Sequence, residues 1–317
     1  MNRFKYLILY ICLLFSWQVK AQYDAHFSHY WAMQSYSNPA SIGLAGKLNI
    51  AGTYSAQLTG FTRSAKTMYF AADLPLSFLN EYHNVGLNFY NETIGLFTNQ
   101  RISLQYAFRF RLWGGRLAGG AQIGMLSEKF DGSKVDFGEA EGSMASDPAF
   151  PSSEVDGTGV DIGAGIHYLH PKFYVGMSVS HLNSPKIMLG ETNEFKIAPT
   201  YYLTGGCNIP LKNPLLSIQP TLMAQTDGVA YRVDITGRLT YSYDEKKYYG
   251  GISYTPTISC TVLLGTIFQG IHFGYAYELF TNQIGVGNGN HSLMVGYQMD
   301  LDFFKKGKNR HKSVRIL

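Results

Sequence analysis

Two pairs of histidines are spaced three residues apart: His26 with His29, and His167 with His170. That spacing suits metal ligands when both residues lie on a helix. The first pair falls in an irregular segment, however, and the second at the end of an alternating, strand-like stretch. Ordinary polar roles are therefore favoured, and the sequence predicts no metal site and no cofactor.

Among enzyme classes, a hydrolase is the one that the sequence suggests, because His181 and Asn183 lie near a strand end. Such an enzyme needs a serine, a histidine and an orienting amide or carboxylate held together. No G-x-S-x-G or H-E-x-x-H motif is present, and nothing fixes a nucleophile beside His181. We predict no catalytic residues and no enzymatic activity, with a hydrolase as the weakest of three functional alternatives.

Two further stretches have compositions that occur in ligand-binding sites, but each is better explained without a ligand. The glycines of residues 157–165 lie in an alternating strand with no helix after it, so they lack the helix N-terminus that holds phosphates. We expect them to relieve crowding on a curved wall. Residues 131–156 are rich in carboxylates, but their spacing is not that of an EF-hand. A solvated surface loop is favoured over a weak calcium site.

The elements that position these residues are strands with one apolar and one polar face. In residues 270–279 and 288–301, large aromatic and aliphatic residues alternate with small or polar ones. A β-sandwich gives the same alternation. Here, however, each apolar face carries large side chains for about ten residues, the length with which a tilted strand crosses a bilayer. The pattern predicts a transmembrane β-barrel closed by this pair.

The same pattern recurs along the chain and predicts an all-β fold. We expect a single outer-membrane β-barrel of about 14 antiparallel strands over residues 47–304. An irregular segment, residues 22–46, precedes the barrel and is expected in the lumen or under its periplasmic mouth. A short basic tail, residues 305–317, follows it. The predicted strands are 48–57, 65–76, 83–92, 99–113, 115–129, 157–169, 172–182, 199–209, 215–226, 229–243, 247–254, 257–269, 271–280 and 290–302.

In the clearest strands the charged residues fall on one face only. An Arg or Lys facing lipid at the bilayer midplane costs about 2–4 kcal/mol, so a membrane barrel requires this segregation. We predict that these residues line the lumen, where they pair with one another or border a pore. The candidate lumen-lining residues are Arg109, Arg111, Arg232, Asp234 and Arg238.

One stretch permits a competing interpretation. Residues 258–277 carry no formally charged residue and match the roughly 20 residues that a transmembrane helix needs. Several glycine, serine and threonine residues interrupt this stretch, and its second half alternates. We therefore favour strands here and keep a helix as the alternative.

Composition and the chain ends agree with an exported barrel. Charged residues make up 15%, against roughly 25% in soluble domains, and a mean hydropathy of -0.08 excludes a helical membrane protein. The first 21 residues resemble a secretory signal, with cleavage predicted between Ala21 and Gln22. Cys207 and Cys260 then remain, and we expect both to be unpaired.

The charge is unevenly distributed along the chain, and no nucleic-acid partner is expected. The basic residues concentrate in the leader and the tail, so the body between them is net acidic and gives no indication of nucleic-acid binding. We expect the tail to be a solvated extension, with contact to anionic periplasmic partners or inner-leaflet headgroups as the alternative. Connections after even-numbered strands are short and some after odd-numbered strands are long, so both termini are predicted to be periplasmic.

The segment after the leader resembles the start of mature PorP/SprF proteins, which are outer-membrane components of the type IX secretion system of Bacteroidota. The likeness continues through residues 57–95 and 291–297, and the basic tail departs from it, since such proteins usually stop soon after the last strand. The residues that carry the resemblance most specifically are Asp24, Phe27, Ser28, Tyr30, Asn38, Pro39, Ala40 and Gly43.

The resemblance implies a non-enzymatic role in protein export. Some members engage the C-terminal secretion domains of adhesins and help to hold them at the cell surface, and others support secretion and gliding motility more broadly. Expected partners are outer-membrane lipid, cargo C-terminal domains and other type IX secretion subunits. The alternative from the residues themselves is a solute channel or transporter, suggested by the inward Arg and Asp residues.

Overall fold

The computed structural model describes residues 24–61, 63–78, 81–135, 153–190, 193–281 and 288–300. The leader with its predicted cleavage site, most of the acidic loop and the basic tail lie outside these residues. The strands are β1 (Leu48–Ala56), β2 (Lys66–Phe78), β3 (Glu81–Ile94), β4 (Phe97–Leu112), β5 (Gly115–Asp131), β6 (Glu154–Leu169), β7 (Phe173–Ser180), β8 (Lys186–Leu189), β9 (Asn193–Lys196), β10 (Thr200–Cys207), β11 (Ile209–Pro210), β12 (Leu216–Thr226), β13 (Tyr231–Tyr243), β14 (Lys246–Thr255), β15 (Ser259–Phe268), β16 (Ile271–Phe280) and β17 (Asn290–Met299).

Fourteen of these strands form one closed antiparallel barrel. Each barrel strand pairs with its neighbours in sequence, and β10 pairs directly with β7 and β12. The barrel closes between its first and last strands, where Leu48 lies opposite Met299 and Ala56 opposite His291. The predicted architecture, a single barrel of about 14 strands, is confirmed.

The wall separates apolar from polar side chains as a membrane barrel requires. On β4, Ile102, Leu104 and Tyr106 are exposed on the outer face, whereas Arg101 and Arg109 are buried on the inner face. An exposed band of large apolar side chains on the outside suits acyl chains, while the inner face keeps the charges away from them.

The helical alternative for residues 258–277 is wrong. These residues form most of the β15–β16 hairpin, in which Ser259 pairs with Phe280 and Phe268 with Ile271. Apolar and small or polar residues alternate on both sides of the Gln269–Gly270 turn. This pattern favours strands over a helix, because every second side chain of a strand meets lipid and the others face the lumen. No helix in the described part of the chain is long and apolar enough to cross a membrane.

The two ends of the barrel differ. We call the end where β1 begins and β17 ends the terminal end, and the opposite end the loop end. The long strands β4, β5 and β6 have 16 or 17 residues, whereas β7 and β10 have 8. At about 3.3 Å per residue and 45° tilt, the long strands rise roughly 40 Å, which exceeds the ~25 Å apolar band of an outer-membrane barrel.

Two pieces of chain fold into the lumen instead of joining the wall. The first is the segment from Asp24 to Gly46, which we call the plug; it contains one turn of helix, α1 (Gln34–Ser37), and a 3₁₀ turn (Pro39–Ser41). The second is the β8–β9 hairpin, which lies in the connection where the sequence predicts only a long loop. Strands of four residues are too short to be recognised from alternation alone.

Candidate functional site

The lumen and the plug that fills it form the candidate site. The plug follows the inner wall from the loop-end half of the barrel to the terminal end, where it becomes β1. Asp24 contacts residues near the loop-end starts of β4 and β10, whereas Gly43 contacts residues near the terminal ends of β2 and β4. The first residues of the plug thus lie deep inside the barrel.

Asn38 attaches the plug to the wall and shapes it. Its side-chain oxygen accepts a hydrogen bond from the backbone N–H of Ala40 at 2.9 Å and caps the 3₁₀ turn that Pro39 begins. Its amide nitrogen donates to the carbonyl of Ile166 on β6 at 2.9 Å. A single side chain therefore fixes the local turn and joins it to a strand 128 positions away.

The wall makes room for this turn with two glycines. A Cβ at Gly120 on β5 would overlap the backbone of Ala40 and of Pro39. A Cβ at Gly165 on β6 would overlap the side chain of Asn38. The absence of a side chain at these positions lets the plug lie directly on the backbone of the sheet.

Gly43 marks the exit of the plug toward β1. Its φ of +67° is a conformation that glycine adopts without strain, and a Cβ there would overlap Asn84. Its N–H donates to Asp73 at 2.6 Å, and its carbonyl accepts from Nη1 of Arg109 at 3.0 Å. Arg109 also donates to the carbonyl of Ile42 at 2.9 Å, so its guanidinium binds two consecutive plug carbonyls.

At the other end of the plug, Asp24 completes a buried group of charges. Its carboxylate lies 3.2 Å from Nε2 of His181 and 3.7 Å from Nη1 of Arg101, and it accepts a hydrogen bond from Tyr202 at 2.6 Å. Asp161 on β6 contacts Nδ1 of the same histidine at 2.8 Å. We call Asp24, Arg101, Asp161 and His181 the charge quartet; two carboxylates face two cations, so it is neutral when the imidazole is protonated.

The electrostatics of the quartet favour that protonated state. Burial alone would lower the pKa of His181, but the carboxylates of Asp24 and Asp161 outweigh it and raise the pKa to about 9. Burial would likewise raise the pKa of Asp24, yet His181 and Arg101 hold it well below its usual range. Since both imidazole nitrogens contact carboxylates, His181 acts here as a buried cation within an ion pair.

A second charge group lies on the opposite wall. Arg232 on β13 donates to Asp234 at 3.1 Å and to Glu278 on β16 at 3.1 Å. Thr255 donates to Asp234 at 2.5 Å, and His26 of the plug lies 3.5 Å from the same carboxylate. This network joins three strands, and His26 places the plug against it.

Aromatic residues of the plug complete the filling. The Tyr30 hydroxyl donates to Oγ1 of Thr236 at 2.9 Å, and the guanidinium carbon of Arg238 lies 3.5 Å from the ring centroid of Trp31. A cation over an indole face is a favourable electrostatic contact. The rings of Tyr30 and Trp31 therefore pack against polar side chains of β13 on this side of the lumen.

The β8–β9 hairpin covers the plug from the loop end. Ile187 is fully buried and packs with Leu126, Leu189 and Ile197. A Cβ at Gly157 on β6 would overlap the hairpin backbone at Met188. These wall glycines thus allow close approach of a lumenal hairpin, a more specific role than relief of crowding.

The candidate lumen residues fall into four settings. Arg109 binds plug carbonyls, whereas Arg232 and Asp234 pair with each other. Arg238 stacks on Trp31, and Arg111 lies exposed at the terminal-end mouth.

The histidine pairs are not brought together as metal ligands. His26 contacts Asp234 and His167 contacts Gln34, whereas His170 lies in a turn. Within the described residues, no three His, Cys, Asp or Glu side chains are arranged to hold a metal ion. Cys207 and Cys260 are both free thiols.

Comparison with known protein families shows to which family this chain belongs. Residues 19–297 match the family model described as "Type IX secretion system membrane protein PorP/SprF". The chain belongs to this family. It is accordingly an outer-membrane component of type IX secretion, and both its family and its fold are those of a secretion component rather than an enzyme. Comparison with curated proteins gives no match.

Solved barrels resemble this chain in fold alone. The P. putida toluene transporter TodX is 11% identical over 84% of this chain and 93% of its own, with a TM-score of 0.49. The CymD monoaromatic hydrocarbon channel is 12% identical over 85% and 93%, with a TM-score of 0.48. Acinetobacter baumannii Omp33 is 8% identical over 80% and 98%, with a TM-score of 0.44.

The residues of the family resemblance lie on the plug and at its contacts. Asp24 belongs to the charge quartet, Asn38 and Pro39 form the capped turn, and Gly43 forms the exit. Phe27 packs in the buried cluster with Tyr69, and Ser28 is buried.

Sequence reasoning missed several partners of this site, among them Arg101, Asp161 and Glu278. Arg101 and Arg109 are separated by an even number of residues on β4, so their side chains lie on the same, inner face of the strand. This separation is the sequence signal from which the position of Arg101 can be recognised.

Proposed function

We propose that this barrel serves type IX secretion as a binding component rather than as a conduit. It engages the C-terminal domains of secreted cargo, adhesins among them, together with other subunits of the secretion machinery. Through these contacts it supports export of the cargo or its attachment to the cell surface, and gliding motility is one phenotype that depends on it. Family membership supports the setting in secretion.

The observation that carries the binding role is the filled lumen. The plug is held by the charge quartet at one end and by the Arg109–Gly43 contact at the other, while the β8–β9 hairpin packs above it. Breaking a buried ion pair costs about 3–5 kcal/mol, and the plug makes several such contacts at once. A barrel filled in this way works through its outer surfaces.

The loop end offers a surface suited to cargo. The long strands β3 to β6 extend past the apolar band, and their tips expose Ile94 and Phe97, with the Phe97 ring centroid 4.9 Å from that of Phe130. Exposed aromatic and aliphatic side chains outside the membrane are typical of protein-binding sites. We propose this tip as the first cargo contact.

The orientation that fits this role places both termini in the periplasm. The terminal end has short connections such as 113–114 and 244–245, whereas the loop end has the long ones, 132–153 and 181–199. In bacterial barrels the short turns face the periplasm. An impermeant maleimide added to whole cells tests this: it labels Val229→Cys, leaves Glu245→Cys unlabelled, and the reverse pattern contradicts the orientation.

Deletion of the gene, followed by comparison of secreted and surface-attached proteins, tests the function. We expect loss of particular cargo proteins from the surface, with restoration by the wild-type gene. Co-purification from outer-membrane extracts should recover a cargo C-terminal domain or a secretion subunit, and Phe97→Asp should reduce recovery of the cargo. Unchanged secretion together with no recovered partner would overturn the proposal.

The second candidate, a solute channel, is favoured by one observation. A cavity of about 300 Å³ lies between the plug and the wall at the terminal end, bordered by Trp31, Asp73 and His272. Single-channel recording in planar bilayers discriminates between the two. The binding role predicts little current from the purified wild-type protein, and a channel predicts stable open-state conductance.

A further inference from the structure

The terminal-end rim has an uneven charge distribution. Three connections that lie side by side around the barrel, between β4 and β5, β6 and β7, and β10 and β12, carry exposed cations. The stretches 109–116, 169–173 and 207–216 contain no Asp or Glu. We call this part of the rim the cationic arc, defined by Arg111, Arg116, Lys172 and Lys212.

Two arginines of the arc lie directly opposite each other. Arg111 on β4 pairs in register with Arg116 on β5, and like charges at such positions destabilise a sheet. Neither side chain has an ion-pair partner among the described residues. Arg109, two positions earlier, is satisfied by plug carbonyls, so the uncompensated charge begins where the plug ends.

The two arginines border an open cavity. It has a volume of about 720 Å³ and is lined by Arg111, Trp113, Arg116, His170 and Pro171, among other residues of the two turns. Trp113, at the tip of the β4–β5 turn, is 85% exposed. Tryptophan and arginine are the side chains most often found at the energetic centres of protein interfaces.

The opposite side of the rim is balanced. The β13–β14 turn holds Asp244 and Glu245 beside Lys246 and Lys247. At the seam of the barrel, Lys47 pairs with Asp300 at 2.9 Å. Among the described residues of the rim, the excess of positive charge therefore lies in the arc.

We propose that the cationic arc is a docking surface for an acidic segment of a protein on the terminal-end side of the membrane. Arg111 lies two residues after the inward-facing Arg109 on β4, and Arg116 lies two residues before the inward-facing Ala118 on β5. Because strand side chains alternate between faces, both arginines point toward the mouth of the lumen and away from acyl chains. That placement favours a polypeptide over lipid headgroups. The inference rests on the proposed orientation, in which this end faces the periplasm.

A defined acidic probe tests the chemistry. A fluorescein-labelled decaglutamate peptide is titrated against the detergent-solubilised full-length protein at low salt, with anisotropy as the readout. We expect the double variant Arg111→Glu/Arg116→Glu to weaken binding at least tenfold. Lys246→Glu/Lys247→Glu, which changes the net charge equally, should stay within twofold. Equal losses in both variants would overturn the proposal, as would equal binding in both.

Crosslinking in cells identifies the natural occupant. A photoreactive phenylalanine analogue replaces Trp113 or, as the control, Tyr248 near the balanced turn, and adducts are mapped by mass spectrometry. An adduct to an acidic protein segment at position 113, lost in Arg111→Glu/Arg116→Glu, supports the proposal. Adducts to lipid alone, or to no acidic segment, refute it. If gene deletion leaves secretion intact, while the purified protein still binds the peptide and the photoreactive variant still forms the adduct in cells that express it, the docking surface stands and the secretion role fails.

Discussion

Nε2 of His181, just after β7, lies 3.2 Å from the carboxylate of Asp24, the first described residue of the plug. The two residues are 157 positions apart in the chain. Their contact holds the beginning of the plug in the loop-end half of the barrel, and Arg101 and Asp161 complete the charge balance around it. The state of the lumen therefore depends on a small number of buried polar contacts.

Replacing Asp24 with asparagine should loosen the plug. The change leaves two buried cations with one carboxylate, and breaking a buried pair in this way costs about 3–5 kcal/mol. We expect faster cleavage of residues 24–46 by an added protease in detergent. Asp227→Asn in the β12–β13 turn is the control, because asparagine keeps the side-chain oxygen that accepts the turn hydrogen bonds. Equal cleavage of both variants and wild type would contradict this role of Asp24.

The plug should also respond to pH. The pKa of His181 is raised to about 9, so its stabilising contribution is complete below about pH 6.5 and disappears as the pH rises through 9. The pKa of Asp24 is lowered, so its contribution is complete above about pH 4 and is lost on acidification. Protease cleavage of the plug should increase near pH 9, and His181→Gln should abolish that transition. A flat profile in wild type between pH 6.5 and 10 would refute the assignment.

Gly120→Val should displace the plug. The added side chain would overlap the backbone of Ala40, whereas the neighbouring Gly119 has open space around it and Gly119→Val should be tolerated. We expect single-channel conductance from the Gly120 variant in planar bilayers and little from wild type or the Gly119 variant. Protease cleavage of the plug in the Gly120 variant would show that the plug has been displaced. If none of the three proteins then gives conductance, the plug alone does not close the lumen.

Ile187→Ala should open the hairpin at the loop end. Ile187 is 0% exposed and Met188 is 47% exposed. Removing a buried Ile side chain costs about 2–5 kcal/mol, whereas Met188→Ala removes an exposed one and should have a small effect. Hydrogen exchange of residues 186–196 measures the difference, with faster exchange expected only in the Ile187 variant. Similar rates in the two variants would argue against the packing of the hairpin.

The sequence predicted the strands of the barrel wall far better than the segments that fill the lumen. Alternation with a period of two is strong in strands such as β4 and β13, and it located all fourteen barrel strands to within a few residues. Near Pro256 the pattern is blurred, because the proline lies in the short turn between β14 and β15. The wall follows from local pattern and the requirement that no backbone amide remain bare in lipid.

The contents depend on contacts that local pattern does not encode. The plug has no period, and its partners, such as Ile166 for Asn38 and Arg101 for Asp24, are far away in sequence. Glycines 120 and 165 are recognisable as permissive positions only once the segment lying on them is known. Charge segregation indicated which side chains face inward, but not which of them meet.

We propose that the barrel supports secretion with its lumen closed. Oγ of Ser178 on β7 donates to the backbone carbonyl of Ser37 on the plug at 2.8 Å, so cysteines at both positions, with Cys207 and Cys260 replaced by serine, permit a short bismaleimide to lock the plug in living cells. The measurement is the amount of cargo at the surface before and after locking. We predict that locked cells secrete as much as untreated ones. A halt in secretion in the double-cysteine strain, absent from both single-cysteine strains, would mean that secretion requires the plug to move.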